Sequence, residues 1–179
     1  MTKYFNNENI PTLADVLFNR DQRENSIKYL GDYYKDASIL CFKLNIPGPQ
    51  KNNQAIKSIF NIGVNEIQIK FIDEKILFEN IKDDFTGPEY FLVIDKDPIS
   101  VKKKMVDLEE NSYFGRLYDI DIKSNGRNIT RELLGMPSRT CFICDNDAKI
   151  CARSRAHSVD EMINFIEIMI DNYNISILK

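Results

Sequence analysis

An α+β fold, with helices packed on a mixed or antiparallel sheet, is predicted by three features of this 179-residue chain. Its middle alternates strand-like and helix-like hydrophobic periods in the order strand, helix, strand, strand, helix, strand. No internal repeat or low-complexity linker divides it, so one domain over residues 1–179 is expected. Its composition, 43% hydrophobic and 28% charged, suits a globular chain long enough to bury a core. A ferredoxin-like βαββαβ unit is favoured, with a nucleotidyltransferase-type sheet as the alternative; the order of elements does not separate them.

Thr12 caps the first helix, with Asp15 at the capping-box position and Leu13, Val16, Leu17, Ile27, Leu30 and Tyr34 as its apolar positions. Residues 38–44 read as a strand that runs into Asn45-Ile46-Pro47-Gly48-Pro49. A helix follows from about Asn52, placing Ile56, Ile59, Phe60, Gly63 and Ile67 on one face, while residues 64–71 alternate enough to be partly strand. Residues 74–80 and 89–95 are strand candidates separated by Phe85-Thr86-Gly87-Pro88.

Asp97 caps the next helix, with Pro98 in its first turn and Val101, Met105 and Leu108 facing inward; Lys102, Lys103 and Lys104 are read as its solvated side. A strand over 117–123 meets the turn Ser124-Asn125-Gly126-Arg127, which leads into a partner strand over 128–133. A Cys/His segment follows. Ser158 and Glu161 then form a capping box for the last helix, whose stripe is Val159, Met162, Ile163, Ile166, Met169 and Ile170.

A net charge of −3 lacks the basic excess of a general nucleic-acid or membrane binder, so neither partner is expected. Residues 1–9 are polar, and no apolar run is long enough to span a bilayer, so a soluble cytoplasmic protein is expected. In that setting clustered cysteines indicate metal ligands or bystander thiols rather than disulfides.

Gly115-Arg116-Leu117-Tyr118-Asp119-Ile120-Asp121-Ile122 is the most informative stretch. On a strand Asp119 and Asp121 share one face with Leu117, while Tyr118, Ile120 and Ile122 face the core. Paired carboxylates repel unless a cation lies between them, and they suit Mg²⁺, which combines one or two carboxylates with substrate phosphates. Gly115 permits close backbone approach and Arg116 offers a planar fork to phosphate. The bland alternative is a solvated strand face.

The turn before Lys51 can present a helix N-terminus to an anion or serve only as a turn. Cys141, Cys144, Cys151 and His157 can supply a Cys3His zinc site; the alternatives are buried thiols and a free His157. Arg139, Arg153 and Arg155 form a local cationic cluster suited to a phosphate-rich ligand, and Arg20 and Arg23 lie three apart on the first helix.

These segments, namely Leu44 to Pro49 with Lys51, Gly115 to Asp121, and Arg139 to Cys144 continuing through Cys151-Ala152-Arg153-Ser154-Arg155-Ala156-His157, resemble the citrate lyase holo-acyl-carrier-protein synthase (CitX) family. In the first helix Arg20 and Arg23 fit, whereas Ser26, Ile27 and Lys28 depart from the pattern.

The resemblance implies nucleotidyl transfer. A serine of the citrate lyase acyl carrier protein would attack the innermost phosphate of 2′-(5″-triphosphoribosyl)-3′-dephospho-CoA, and pyrophosphate would leave. It assigns catalysis to Arg116, Asp119 and Asp121, with Mg²⁺ on the two aspartates. Donor binding falls to Gly48, Lys51, Gly115, Arg139, Arg153, Arg155, Arg20 and Arg23. His157, Asp95 and Asp97 are the candidates for the base. The rival readings are the equivalent transferase for the malonate decarboxylase carrier, and a zinc-stapled carrier-binding module without activity.

Overall fold

A computed structural model describes residues 2–6, 8–144 and 146–173. Positions 1 and 7, which enter the reading of the N-terminal stretch, lie outside the described residues, as do 145 and 174–179. The elements are α1 (Leu13–Tyr33), β1 (Ser38–Leu44), α2 (Gln54–Lys70), β2 (Ile76–Lys82), β3 (Glu89–Ile94), α3 (Pro98–Asn111), β4 (Tyr118–Ser124), β5 (Arg127–Asn128), α4 (Ala148–Ser154) and α5 (Val159–Asn172).

The sheet order is β2-β3-β1-β4-β5, with every pairing antiparallel. Thus β1–α2–β2 is a crossover split by β3, and β3–α3–β4 is one split by β1. This is the ferredoxin-like arrangement. One sheet face carries Leu40, Phe42, Tyr90, Leu92, Tyr118 and Ile120 into the main core, shared with α2, α3 and α5. The opposite face carries Ile39, Cys41, Phe91 and Val93, covered by Ile27 and Leu30 of α1.

The predicted caps form. Thr12 and Asp15 make a reciprocal capping box, as do Ser158 and Glu161, and Asp97 caps α3 with Pro98 in the first turn. Asn125 (φ 49°) and Gly126 (φ 71°) are both left-handed, as a two-residue hairpin turn with matching twist requires.

Several expectations are corrected. Residues 64–70 continue α2, because Val64 and Ile67 point into the core at helical spacing. Leu117 lies in a short 3-10 turn, Gly115–Leu117, and is fully buried rather than sharing the aspartate face. The partner strand after the hairpin stops at Asn128, and Glu132–Leu134 is a 3-10 turn. Leu13, Val16 and Leu17 are exposed; where α1 reaches the sheet ahead of Ile27 it meets charge, with Arg23 and Asn19 bonded to Glu89. Lys102 is buried, not solvated. Three consecutive residues sweep about 200° of a helix, so a lysine triplet cannot all face water on a helix packed against a sheet.

Two glycines are dictated by packing. A Cβ on Gly63 would lie 2.5 Å from Cζ of Phe42, so its absence lets α2 settle on the sheet. A Cβ on Gly115 would lie 2.6 Å from the carbonyl oxygens of both Leu108 and Glu109. Backbone atoms cannot yield as a flexible side chain does. Gly115→Ala is therefore expected to cost about 1–3 kcal/mol, read as a lowered midpoint in urea unfolding; an unchanged midpoint would refute this close-packing account.

Candidate active site

β4 buries Tyr118, Ile120 and Ile122 and turns Asp119 and Asp121 to the opposite face, where both stay partly exposed. Register places Lys43 of β1 opposite Asp119. Its Nζ lies 2.7 Å from Asp119 Oδ2 and 3.1 Å from Asp121 Oδ2. The cation demanded by two neighbouring carboxylates is thus partly supplied by the protein. Burial opposes the Lys43 charge, but Asp119 and Asp121 outweigh it and raise its pKa above the usual lysine value.

On the other side of Lys43, β3 presents Glu89, which is buried. Arg23 Nη1 lies 2.5 Å from Glu89 Oε1, and Asn19 Nδ2 donates to the same oxygen at 2.9 Å. Glu89 Oε2 is buried without a hydrogen-bond partner among the described residues. Arg23, Lys43, Lys51 and Glu89 line one small pocket of about 50 Å³. Lys51 donates to the Ile46 carbonyl at 2.6 Å, and burial lowers its pKa. Of the two arginines on α1, Arg23 reaches the sheet and Arg20 is exposed to solvent.

Because β5 pairs only with Lys123 and Ser124, among the described residues the outer edge of β4 beside the aspartates lacks a partner strand. Side chains replace it. Lys102 Nζ donates to the Ile120 carbonyl at 2.8 Å, and the Ile120 N–H donates to Glu109 Oε1 at 3.3 Å. Arg131 Nη2 lies 2.6 Å from Glu109 Oε2. Burial lowers the Lys102 pKa. A groove of about 260 Å³ runs along this edge, bordered by Lys102, Asp119, Asp121, Arg131, Arg139 and Lys149.

A larger cavity of about 640 Å³ adjoins the groove; Arg139 and Ala148 line both. Its wall includes Asn45, Pro47, Arg116, Arg155 and Met162. Arg139 Nη2 donates to the Arg116 carbonyl at 2.9 Å, while Arg116 donates to the Thr140 carbonyl and to its hydroxyl. These reciprocal bonds clasp residues 139–141 to the turn that starts β4. Arg155 reaches the cavity from the left-handed C-cap of α4 (φ 50°), whereas Arg153 is exposed and outside it. Gly48 (φ 79°) is the left-handed pivot of the Pro47–Pro49 turn, against Val159 rather than in a cavity.

At the cavity wall the ligand atoms of Cys141, Cys144, Cys151 and His157 lie within 4.8 Å of one another and can hold a metal such as zinc. His157 Nε2 is 3.2 Å from Cys144 Sγ. The other two base candidates are occupied elsewhere: Asp95 pairs with Lys75 at 2.9 Å, and Asp97 caps α3. Register puts both beyond the Ser38 end of β1, the end opposite Lys43.

A family model described as "Apo-citrate lyase phosphoribosyl-dephospho-CoA transferase" (CitX) matches residues 11–173. The chain belongs to this transferase family.

A Streptococcus pyogenes serotype M18 protein bearing the same description, marked "Probable", is 38% identical over 174 residues, covering 95% of this chain and 90% of that one. A Vibrio cholerae serotype O1 protein of the same description is 34% identical over 164 residues, 86% of this chain and 89% of its own. The Leuconostoc mesenteroides subsp. cremoris protein CitXG is 35% identical over 173 residues; the match covers 95% of this chain but 37% of that longer protein.

The segments carrying the family pattern converge from distant parts of the chain: the Pro47 turn, the Gly115 turn leading into Asp119, and the Arg139–His157 stretch meet around the cavity and groove. Sequence reasoning missed Lys43, Glu89, Glu109 and Arg131 and misplaced Lys102. For Lys43 and Glu89 a signal existed, since each is a charge within or at the start of an otherwise apolar strand. For Glu109 and Arg131 no local signal existed, because their pairing joins a helix to a distant turn.

The Glu109 carboxylate is almost wholly buried, so removing its main partner strands a charge. Arg131→Met is expected to destabilise the fold by about 3–5 kcal/mol, measured by urea unfolding, with Glu109→Gln in the same chain recovering part of the loss. A variant as stable as the parent, or no recovery in the double variant, would show that the pair does not hold this edge.

Proposed function

We propose that this single domain transfers the phosphoribosyl-dephospho-CoA group from 2′-(5″-triphosphoribosyl)-3′-dephospho-CoA to a serine of the citrate lyase acyl carrier protein. The serine oxygen forms a bond to the innermost phosphorus, the bond from that phosphorus to the bridging oxygen of the departing diphosphate breaks, and pyrophosphate leaves. The serine proton is lost in the same exchange. The observation that carries this reading is the Asp119/Asp121 pair, set beside a groove in which Lys102, Arg131, Arg139 and Lys149 stand among the carboxylates of Glu109 and Glu132, in a chain of this family.

The donor set fits Mg²⁺: carboxylate oxygens on one strand face already converge on a positive charge, 2.7 and 3.1 Å from Lys43 Nζ. When bound, Mg²⁺ would supply Lewis-acid neutralisation of the triphosphate. The protein's own groups do the rest. Lys43 gives up its place between the aspartates and turns its charge toward phosphate, which Lys51 and Arg23 reinforce from the same face. Arg139 and Arg155 extend the positive lining into the larger cavity, whose volume and Pro47 and Met162 wall suit the nucleotide part of the donor. Fixed charge aimed at a leaving pyrophosphate is the main contribution expected of such a site.

Mass spectrometry of apo-carrier incubated with donor, Mg²⁺ and this protein tests the reading. A serine adduct of phosphoribosyl-dephospho-CoA with release of one pyrophosphate is expected. An adduct appearing only on the malonate decarboxylase carrier, run in parallel, would reassign the acceptor; binding without pyrophosphate release would leave a carrier-binding module. Asp119→Asn and Asp121→Asn are each expected to slow transfer by about a hundredfold or more while the chain stays folded; near-parental turnover by either would dismiss the pair as the metal site.

A further inference from the structure

We infer that Cys141, Cys144, Cys151 and His157 bind a structural zinc ion, and that this ion holds in place the wall of the large cavity. The site is separate from the Asp119/Asp121 pair, and the inference stands whether or not the transfer reaction is as proposed.

Geometry is the first argument. A zinc ion bound tetrahedrally at the usual Zn–S and Zn–N distances separates its ligand atoms by roughly 3.4–3.8 Å. Cys144 Sγ lies 3.5 Å from Cys151 Sγ and 3.2 Å from His157 Nε2, and all four ligand atoms fall within 4.8 Å of one another. Three thiols and one imidazole therefore point at a common centre from three separate places: the Cys141–Cys144 turn, α4, and the chain leading into α5. Four protein ligands close the coordination shell and leave no position for substrate, which marks a structural rather than a catalytic zinc.

The surroundings suit bound thiolates. The Ile143 N–H donates to Cys141 Sγ at 3.5 Å and Asn146 Nδ2 donates to Cys144 Sγ at 3.6 Å. Such donors around the ligands stabilise sulfur that carries negative charge and orient it. The chain also bends unfavourably to deliver the last ligand. Arg155 is a non-glycine residue at φ 50°, directly before the short bend that brings His157 back to Cys144. Strain of this kind persists only where the surrounding structure imposes it.

The second argument is how little else holds this segment. In α4 only Cys151 is buried. The Cys141–Cys144 turn is joined by the isolated Thr140–Asp147 bridge, a few loop hydrogen bonds and the Arg116–Arg139 clasp at one end. Phe142 touches the main core only partly. A stretch that buries so little apolar surface does not repay its ordering entropy, and small segments of this kind are held by a metal or disulfide staple. Yet this stretch furnishes Arg139, Cys141, Arg155 and His157 to the cavity wall. With its imidazole on the metal, His157 is a wall residue and not a free base.

The test uses the intact chain, purified without chelator. Elemental analysis is expected to give about one zinc per chain, released when the thiols are titrated with an organomercurial. Cys144→Ser is expected to lose the zinc and Cys41→Ser, at a buried position on β1, to keep it. Asn146→Ala, which spares every ligand, is expected to weaken zinc retention about tenfold or more in chelator competition. If Cys144→Ser does not fold, Co²⁺ loaded into the parent should give the ligand-field bands of a tetrahedral thiolate site. Stripping the metal should raise amide exchange across 139–157 and leave β1, β3 and β4 protected. A metal-free protein with titratable thiols, a Cys144–Cys151 disulfide, or equal zinc in the two cysteine variants would overturn the site. Unchanged exchange after stripping would overturn its role in the wall.

Discussion

Glu89, Lys43 and Asp119 stand side by side on three neighbouring strands, on a sheet face whose next rows are apolar or mixed. A lysine there, largely removed from water, has its charge favoured by the carboxylates within hydrogen-bond reach, which outweigh the burial that opposes it. The carboxylates depend on it in turn. Asp119 and Asp121 repel each other across one strand face, and among the described residues Glu89 is buried with only Arg23 and Asn19 bonded to its side chain. On this face α1 covers the sheet with Ile27 and Leu30, meets the charged end through Asn19 and Arg23, and leaves Leu13, Val16 and Leu17 exposed.

The same strand faces a different problem at its edge. A ferredoxin-like sheet ends at β4, and the short β5 relieves only its last residues. Unpaired backbone groups at an open edge invite wrong pairings or go unsatisfied. Here Lys102 and Glu109, both from α3, take the place of a strand at Ile120, and Arg131 neutralises Glu109. Holding the edge with charged side chains rather than a full strand leaves a groove beside the aspartates. Structural ions and site ions are therefore neighbours, and Arg139 serves both by clasping the Gly115 turn and lining the groove.

Beyond this core the chain adds a segment that the βαββαβ unit does not require. Residues 139–158 lie against the start of β4 through the Arg116–Arg139 clasp and against α5 through Phe142 and Phe165. They close one side of the large cavity. Family membership extends through this segment, since the matching region runs to residue 173. The family's pattern thus spans both the sheet that carries the aspartates and the loop that walls the cavity.

Local chemistry was legible in the amino-acid sequence. Caps at Thr12, Asp97 and Ser158, the Asn125-Gly126 turn, the alternation that sets Asp119 and Asp121 on one face, and the convergence of Cys141, Cys144, Cys151 and His157 all follow from short-range rules of spacing and backbone preference. Fold class was legible as well, because the order of elements leaves few ways to cover a sheet. Tertiary structure alone decided what stands opposite each residue. Lys43 meets Asp119 through strand register, Lys102 turns inward because α3 packs beneath β4, and Glu109 finds Arg131 across a helix and a turn. Likewise only packing separated Arg23 from Arg20 and Arg155 from Arg153. Spacing along the chain specifies which face a side chain occupies, whereas the partner across the gap depends on register and helix placement, which the whole core sets together.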